Sequence, residues 1–223
     1  MTSNQADQLF WASRWTLRDV VALVVTAIIL GLVFYLWGWV MQVLHRVLGD
    51  VVAGLFYGVW FWAGLILAYA IRKSGAALLG EFGAGLIAYA LGSALGSPLG
   101  ALMLVLGWVQ GLALEMVFAW ARFQHWGVLT MMVAGAIAGT ASFAVHLAVD
   151  HGVSLAVEVA ANRGVNLVAP PWMIFPYSGG VILVILCIAI ISGAILGGLV
   201  GKILGDRLLA IAPVRRFLGT QLP

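Results

Sequence analysis

The chain has 223 residues, 64% of them hydrophobic and 9% charged, with a formal net charge of +3 at pH 7. A soluble domain carries about 25% charged residues, so this composition excludes an ordinary water-soluble enzyme or nucleic-acid-binding domain and describes an integral membrane protein. Whole helical turns are apolar all round, without the alternation of a β-barrel strand, and the single cysteine, Cys187, excludes an internal disulfide.

In chain order, residues 1–19 form a polar or interfacial segment. It contains Asp7, Arg14 and Arg18 and is unlike a cleavable signal peptide; Phe10, Trp11 and Trp15 suit the headgroup layer. Six apolar stretches long enough to span as helices follow: about Val20 to Met41, Val51 to Ile71, Gly75 to Leu95, Ala101 to Ala121, Trp126 to Val149 and Tyr177 to Gly201. Residues 20–201 therefore make one compact all-α bundle of six transmembrane helices, and 202–223 a C-terminal tail. Arg14, Arg18, Arg72, Lys73, Arg122, Lys202, Arg207, Arg215 and Arg216 fall on one side of it, and Arg46 and Arg163 on the other. That asymmetry places both termini in the cytoplasm of a bacterial-type plasma membrane. The connection over residues 150–176 is long and faces outside. It reads as a lid or binding segment, or as an amphipathic surface helix.

Two carboxylates and an amide lie inside the spans: Glu81, Gln110 and Glu115. An acidic group costs about 2.5–3.5 kcal/mol at the centre of a membrane helix, so it normally has a partner or a function. Ala84, Gly85, Ala88 and Gly92 fall near the face of Glu81 and permit close approach of a helix or ligand. Trp108, Gly111 and Glu115 share a face, whereas Gln110 lies well round the helix from Glu115 and is expected to bond another neighbour. Tyr57, Trp60 and Phe61 cluster on one side of the second segment, with Trp62 turned toward lipid. Aromatic rings with a carboxylate suit a planar or cationic organic ligand. Glu81 is about 13 Å from Arg72, and Glu115 about 10 Å from Arg122, so both lie in the cytoplasmic half. Their alternative role is structural: each bonds a neighbouring hydroxyl, backbone group or basic residue, or one is protonated. Ser142 and His146, four apart, could touch, but nothing nearby supplies the activated turn and oxyanion donors of a serine enzyme. His146, Asp150 and His151 lack a distinctive metal spacing, and no phosphate-binding loop is present. The chain is therefore expected to be neither an enzyme nor a holder of a metal or cofactor.

Tyr57-Gly58-Val59-Trp60-Phe61, Ile71-Arg72-Lys73-Ser74-Gly75-Ala76-Ala77-Leu78-Leu79-Gly80-Glu81 and Trp108-Val109-Gln110-Gly111-Leu112-Ala113-Leu114-Glu115-Met116-Val117-Phe118 resemble the YkoE family. These are substrate-capture S components of energy-coupling factor (ECF) ABC transporters, associated with thiamine and its hydroxymethylpyrimidine precursor. The resemblance extends through Ala141-Ser142-Phe143 and Ile191-Ser192-Gly193-Ala194. It departs at Ala88, His146 and Ala189, which stand where relatives carry charged residues, so another vitamin-like ligand is the alternative.

The resemblance implies a six-helix bundle that works with a transmembrane coupling subunit and two cytoplasmic ATPases, docking through small residues on the first helix. Here those residues would be the pairs Ala22/Thr26 and Ala27/Gly31. The leading expectation is a binder of thiamine or a related pyrimidine from outside, with Tyr57, Trp60, Tyr89 and Trp108 as aromatic walls and Glu81, Gln110 and Glu115 as polar contacts. A membrane subunit whose glutamates only lock helices together is the reading from a different class.

Overall fold

The computed structural model describes residues 15–96, 100–163 and 179–218. All regular elements among them are helical. A chain in hydrocarbon must satisfy its backbone N–H and C=O groups internally, and a helix does so within one segment. Helix α1 runs Leu17–Gly54 and breaks at Gly49, whose φ of 76° a side chain would strain. A 3₁₀ turn, Tyr57–Phe61, leads into α2, Trp62–Ile71. Then come α3 (Ala76–Leu95), α4 (Leu102–Trp120) and α5 (Val128–Asn162). The last crossing is composite: α6 (Gly179–Ser192), a π-helical stretch Gly193–Leu199, and α7 (Val200–Ala210); a short α8, Ala212–Leu218, follows.

Six segments are long and apolar enough to cross a membrane: Leu17–Gly49, Val51–Ile71, Ala76–Leu95, Leu102–Trp120, Val128–Val149 and Gly179–Ala210. They match the six expected ones, but the first and last are longer. Residues 202–210, expected in a tail, continue the sixth helix as α7. Helix α5 corrects a second boundary. Residues 150–162 are not a loop but the continuation of the fifth helix, and at 1.5 Å per residue its 35 residues reach about 52 Å, well beyond a hydrocarbon core of about 30 Å. Residues 164–176 of the expected outer loop, and most of the 1–19 segment, lie outside the described residues.

The second crossing is the centre of the bundle. Two-thirds (67%) of its most apolar window is buried, against 17% for the first. Around it α1 packs on α3, α3 on α4, α4 on α5, and α5 on the sixth crossing, which returns to the second. Glycines set these approaches. A Cβ on Gly111 would come within 2.9 Å of Leu78 Cα, and one on Gly85 within 2.9 Å of Met103 O. Gly135 on α5 faces the Gly193 carbonyl so closely that no side chain fits between.

One end of the bundle is tied by polar contacts. Thr16 and Asp19 form a capping box at the start of α1. Asp19 also pairs with Lys73 at 2.7 Å, and the Trp15 indole donates to Ser74 O. Tyr69 donates to Asp206, which pairs with Lys202, and the Arg72 guanidinium lies 5.9 Å from the Trp126 ring. The start of α1, the α2–α3 and α4–α5 turns and the end of α7 therefore meet at one basic end.

Candidate functional site

The two intramembrane glutamates do the same kind of work at two places. Helix α2 ends with Arg72 in the left-handed conformation (φ 56°), and Gly75 (φ 87°) completes the reversal into α3. The first N–H groups of a helix have no partner within it. Glu115, reaching across from α4, accepts from Gly75 N at 2.5 Å, Ala77 N at 3.1 Å and Leu78 N at 3.4 Å. Its carboxylate thus closes the start of α3, where the helix dipole also favours negative charge. Glu81, with none of its surface exposed, accepts from Gly64 N in the first turn of α2 at 2.6 Å. Its second oxygen, Oε1, has no hydrogen-bond partner among the described residues. Gly64 and Gly111 leave the room for this side chain: a Cβ on either would come within 3.0–3.2 Å of it.

A different set of polar groups converges toward the opposite end. The Tyr57 ring, on the 3₁₀ turn, lies nearly parallel to the His146 ring of α5, with centroids 6.0 Å apart and an interplanar angle of 17°. The His45 ring of α1 lies 6.2 Å from Tyr57, tilted by 48°. His146 Nδ1 is 2.9 Å from Ser142 O. A carbonyl can only accept, so Nδ1 carries a proton, and in the neutral form of the ring Nε2 is left as an acceptor. One turn down α5, the Ser142 hydroxyl donates to Ala138 O and accepts from Gln110 Nε2 at 2.8 Å. That geometry makes no Ser–His dyad. Three rings and an amide–hydroxyl pair, drawn from α1, the 3₁₀ turn, α4 and α5, thus form one polar track in an apolar bundle.

The 3₁₀ turn is held by the sixth crossing. The Ser192 hydroxyl donates to Leu55 O at 2.7 Å and accepts from Gly58 N at 2.9 Å, one contact on each side of Tyr57. The indole of Trp62 donates to Leu196 O in the π-helical stretch at 2.8 Å, so Trp62 is bonded to the sixth crossing and not turned to lipid as expected. Irregular helix often marks functional positions, and here it anchors the turn that presents Tyr57.

Of the residues expected to bind ligand, Tyr57 and Gln110 belong to this track. Trp60, on the same turn, is buried edge-on to Phe34, and Tyr89 is half-buried against the core. Three others fall elsewhere. Trp108 is 47% exposed and packs on Phe82, Glu115 is at the basic end, and Glu81 is about 8 Å into α3 from that same end. The expectation that Gln110 bonds away from Glu115 holds, with Ser142 the partner. Of the docking pairs, Ala27 is buried and a Cβ on Gly31 would meet Ile87 at 2.6 Å and Ala84 O at 2.8 Å. That pair packs inside the bundle against α3; Ala22 and Thr26 remain half-exposed. His45 draws no expectation from the sequence, and His146 enters there only as a dyad or metal candidate and a departure from the family pattern, because a lone histidine in a helix carries no ligand spacing.

Residues 18–141 match the family model described as "ABC-type cobalt transport system, permease component". Over 194 residues the chain is 34% identical to the Bacillus subtilis (strain 168) protein named "Putative HMP/thiamine permease protein YkoE", covering 87% of this chain and 84% of that one. It is also similar to a solved S-component of an ECF transporter, with a TM-score of 0.72 and 32% identity, covering 91% of this chain and 90% of that one. With six apolar crossings and this arrangement of helices, the chain is a multi-pass membrane protein that belongs to the YkoE family of ECF-transporter S components.

Proposed function

We propose that the protein captures thiamine or its hydroxymethylpyrimidine precursor from outside and delivers it to an ATPase-driven coupling module. The observation that carries this reading is the track His45–Tyr57–His146 with Gln110 and Ser142 beneath it. Near-parallel phenol and imidazole rings suit a flat heteroaromatic ring, His146 Nε2 can accept from an exocyclic amine, and the Gln110 amide offers both a donor and an acceptor. A thiazolium would gain from the aromatic face of Tyr57. A transition-metal cargo would call for several converging imidazole or thiolate ligands, and among the described residues no group of three or more His, Cys, Asp or Glu side chains comes together.

The basic end is then cytoplasmic, and the track lies in the outer half. Glu81 and Glu115 keep the bundle in register from the inner half. A transmembrane coupling subunit and two ATPases complete the transporter, with Ala22 and Thr26 of α1 and the exposed Val25 and Ile29 beside them as the docking surface. The test is titration of the purified protein with thiamine and with hydroxymethylpyrimidine, followed by tryptophan fluorescence and melting temperature. Saturable quenching with a raised Tm is expected. No response to either, with a response to another vitamin, would sink the substrate assignment.

A further inference from the structure

We propose that Trp37 contacts the captured ligand, its indole N–H donating to an acceptor atom on a heteroaromatic molecule, a ring nitrogen or a hydroxyl oxygen. The inference rests on the His45–Tyr57–His146 track being the capture site. The indole nitrogen of Trp37 is buried yet has no hydrogen-bond partner among the described residues. Three other indoles have acceptors: Trp62 donates to Leu196 O, Trp126 to Phe123 O and Trp15, at the surface, to Ser74 O. A buried donor without an acceptor is costly, more so where no bulk water can reach it, and a native structure that keeps one needs a reason. A ligand that supplies the acceptor is such a reason.

The position fits. Trp37, Met41 and His45 recur every four residues on α1 and so lie along one side of it. His45 closes on Tyr57 at one end of that row. Trp37, about 12 Å further along the axis, packs edge-on against Phe56, the residue before Tyr57, with centroids 6.4 Å apart. The Trp37 ring therefore lies on the side of α1 that meets the residue before the 3₁₀ turn, and its residue sits deeper along α1 than His45. The other orphaned atom among the described residues, Glu81 Oε1, is on α3 in the half nearer the basic end, and Trp37 packs by the turn that opens the second crossing.

The experiment uses the full chain in detergent micelles, with thiamine and hydroxymethylpyrimidine as probes. Trp37→Phe keeps a ring but removes the donor. It is expected to bind the probes about ten-fold more weakly than wild type, as for loss of one buried hydrogen bond, with the ligand-free melting temperature unchanged or raised. Trp37→Tyr, which restores a donor, recovers part of the affinity and serves where the Phe variant does not fold. In nitrogen-15 tryptophan spectra of the wild type, the indole resonance that either variant lacks should move downfield on ligand addition. Wild-type binding with unchanged affinity in both variants, or an indole signal that ligand leaves in place, overturns the proposal alone. No binding of either probe by the wild type overturns the capture reading and this proposal together.

Discussion

Glu115 offers a sharp separation between a helix cap and a ligand contact. Its carboxylate accepts two well-formed backbone hydrogen bonds, from Gly75 and Ala77, and a longer one from Leu78. Bonds to a charged acceptor contribute about 1.5–3 kcal/mol each, an N-cap side chain about 1 kcal/mol, and charge at a helix start about 0.3–1 kcal/mol. These overlap, so Glu115→Ala should cost about 3 kcal/mol. Glu115→Gln keeps a carbonyl acceptor and loses the charge, and should cost about 1 kcal/mol. Because the side chain sits at the basic end, away from Tyr57 and His146, ligand affinity should stay within about two-fold in both variants, as for distant sites. The assay is unfolding in mixed micelles with rising SDS, followed by tryptophan fluorescence, beside ligand titrations of the same preparations. A Glu115→Gln protein of wild-type stability that no longer binds ligand would refute the capping assignment.

Ser192→Ala should leave Leu55 O and Gly58 N without their partner, at about 1–3 kcal/mol for each buried group, and loosen the turn that presents Tyr57. Affinity should fall about ten-fold with the loss of stability, and melts run beside titrations would check it; unchanged affinity would mean that Tyr57 does not depend on this anchor. Gly135→Ala drives a methyl against the Gly193 carbonyl and should destabilise by about 1–3 kcal/mol or more through overpacking. Gly127→Ala meets nothing within 4 Å and should stay within about 0.5 kcal/mol. Comparable melting temperatures for the two variants would deny that the α5–sixth-crossing seam is closely packed.

The site was only partly legible. Tyr57 and Gln110 stood out because polar and aromatic groups in an apolar helix are conspicuous, but conspicuousness reports a cost and not the group that offsets it. Glu81 and Glu115 were conspicuous for the same reason. Their partners, Gly64 N and the start of α3, are backbone atoms that any sequence could supply. Trp60 and Trp108 read alike in the chain; one is buried at the centre and the other is 47% exposed. Ala27 and Gly31 read in the chain as a docking pair for a coupling subunit, yet the helix they receive is α3 of the same bundle.

By itself the sequence determined the six crossings, the one-sided distribution of basic residues and the kinship with YkoE. A bilayer imposes length, apolarity and charge asymmetry on each segment separately, and such constraints are written along the chain. The tertiary structure decided which polar groups meet: that two glutamates cap helices, that Ser192 holds the turn bearing Tyr57, and that the rings of His45 and His146 come near Tyr57. Those pairings depend on the rotation and register of one helix against another. These are set by glycine contacts between residues such as Gly135 and Gly193, far apart in the chain, and no local pattern encodes them.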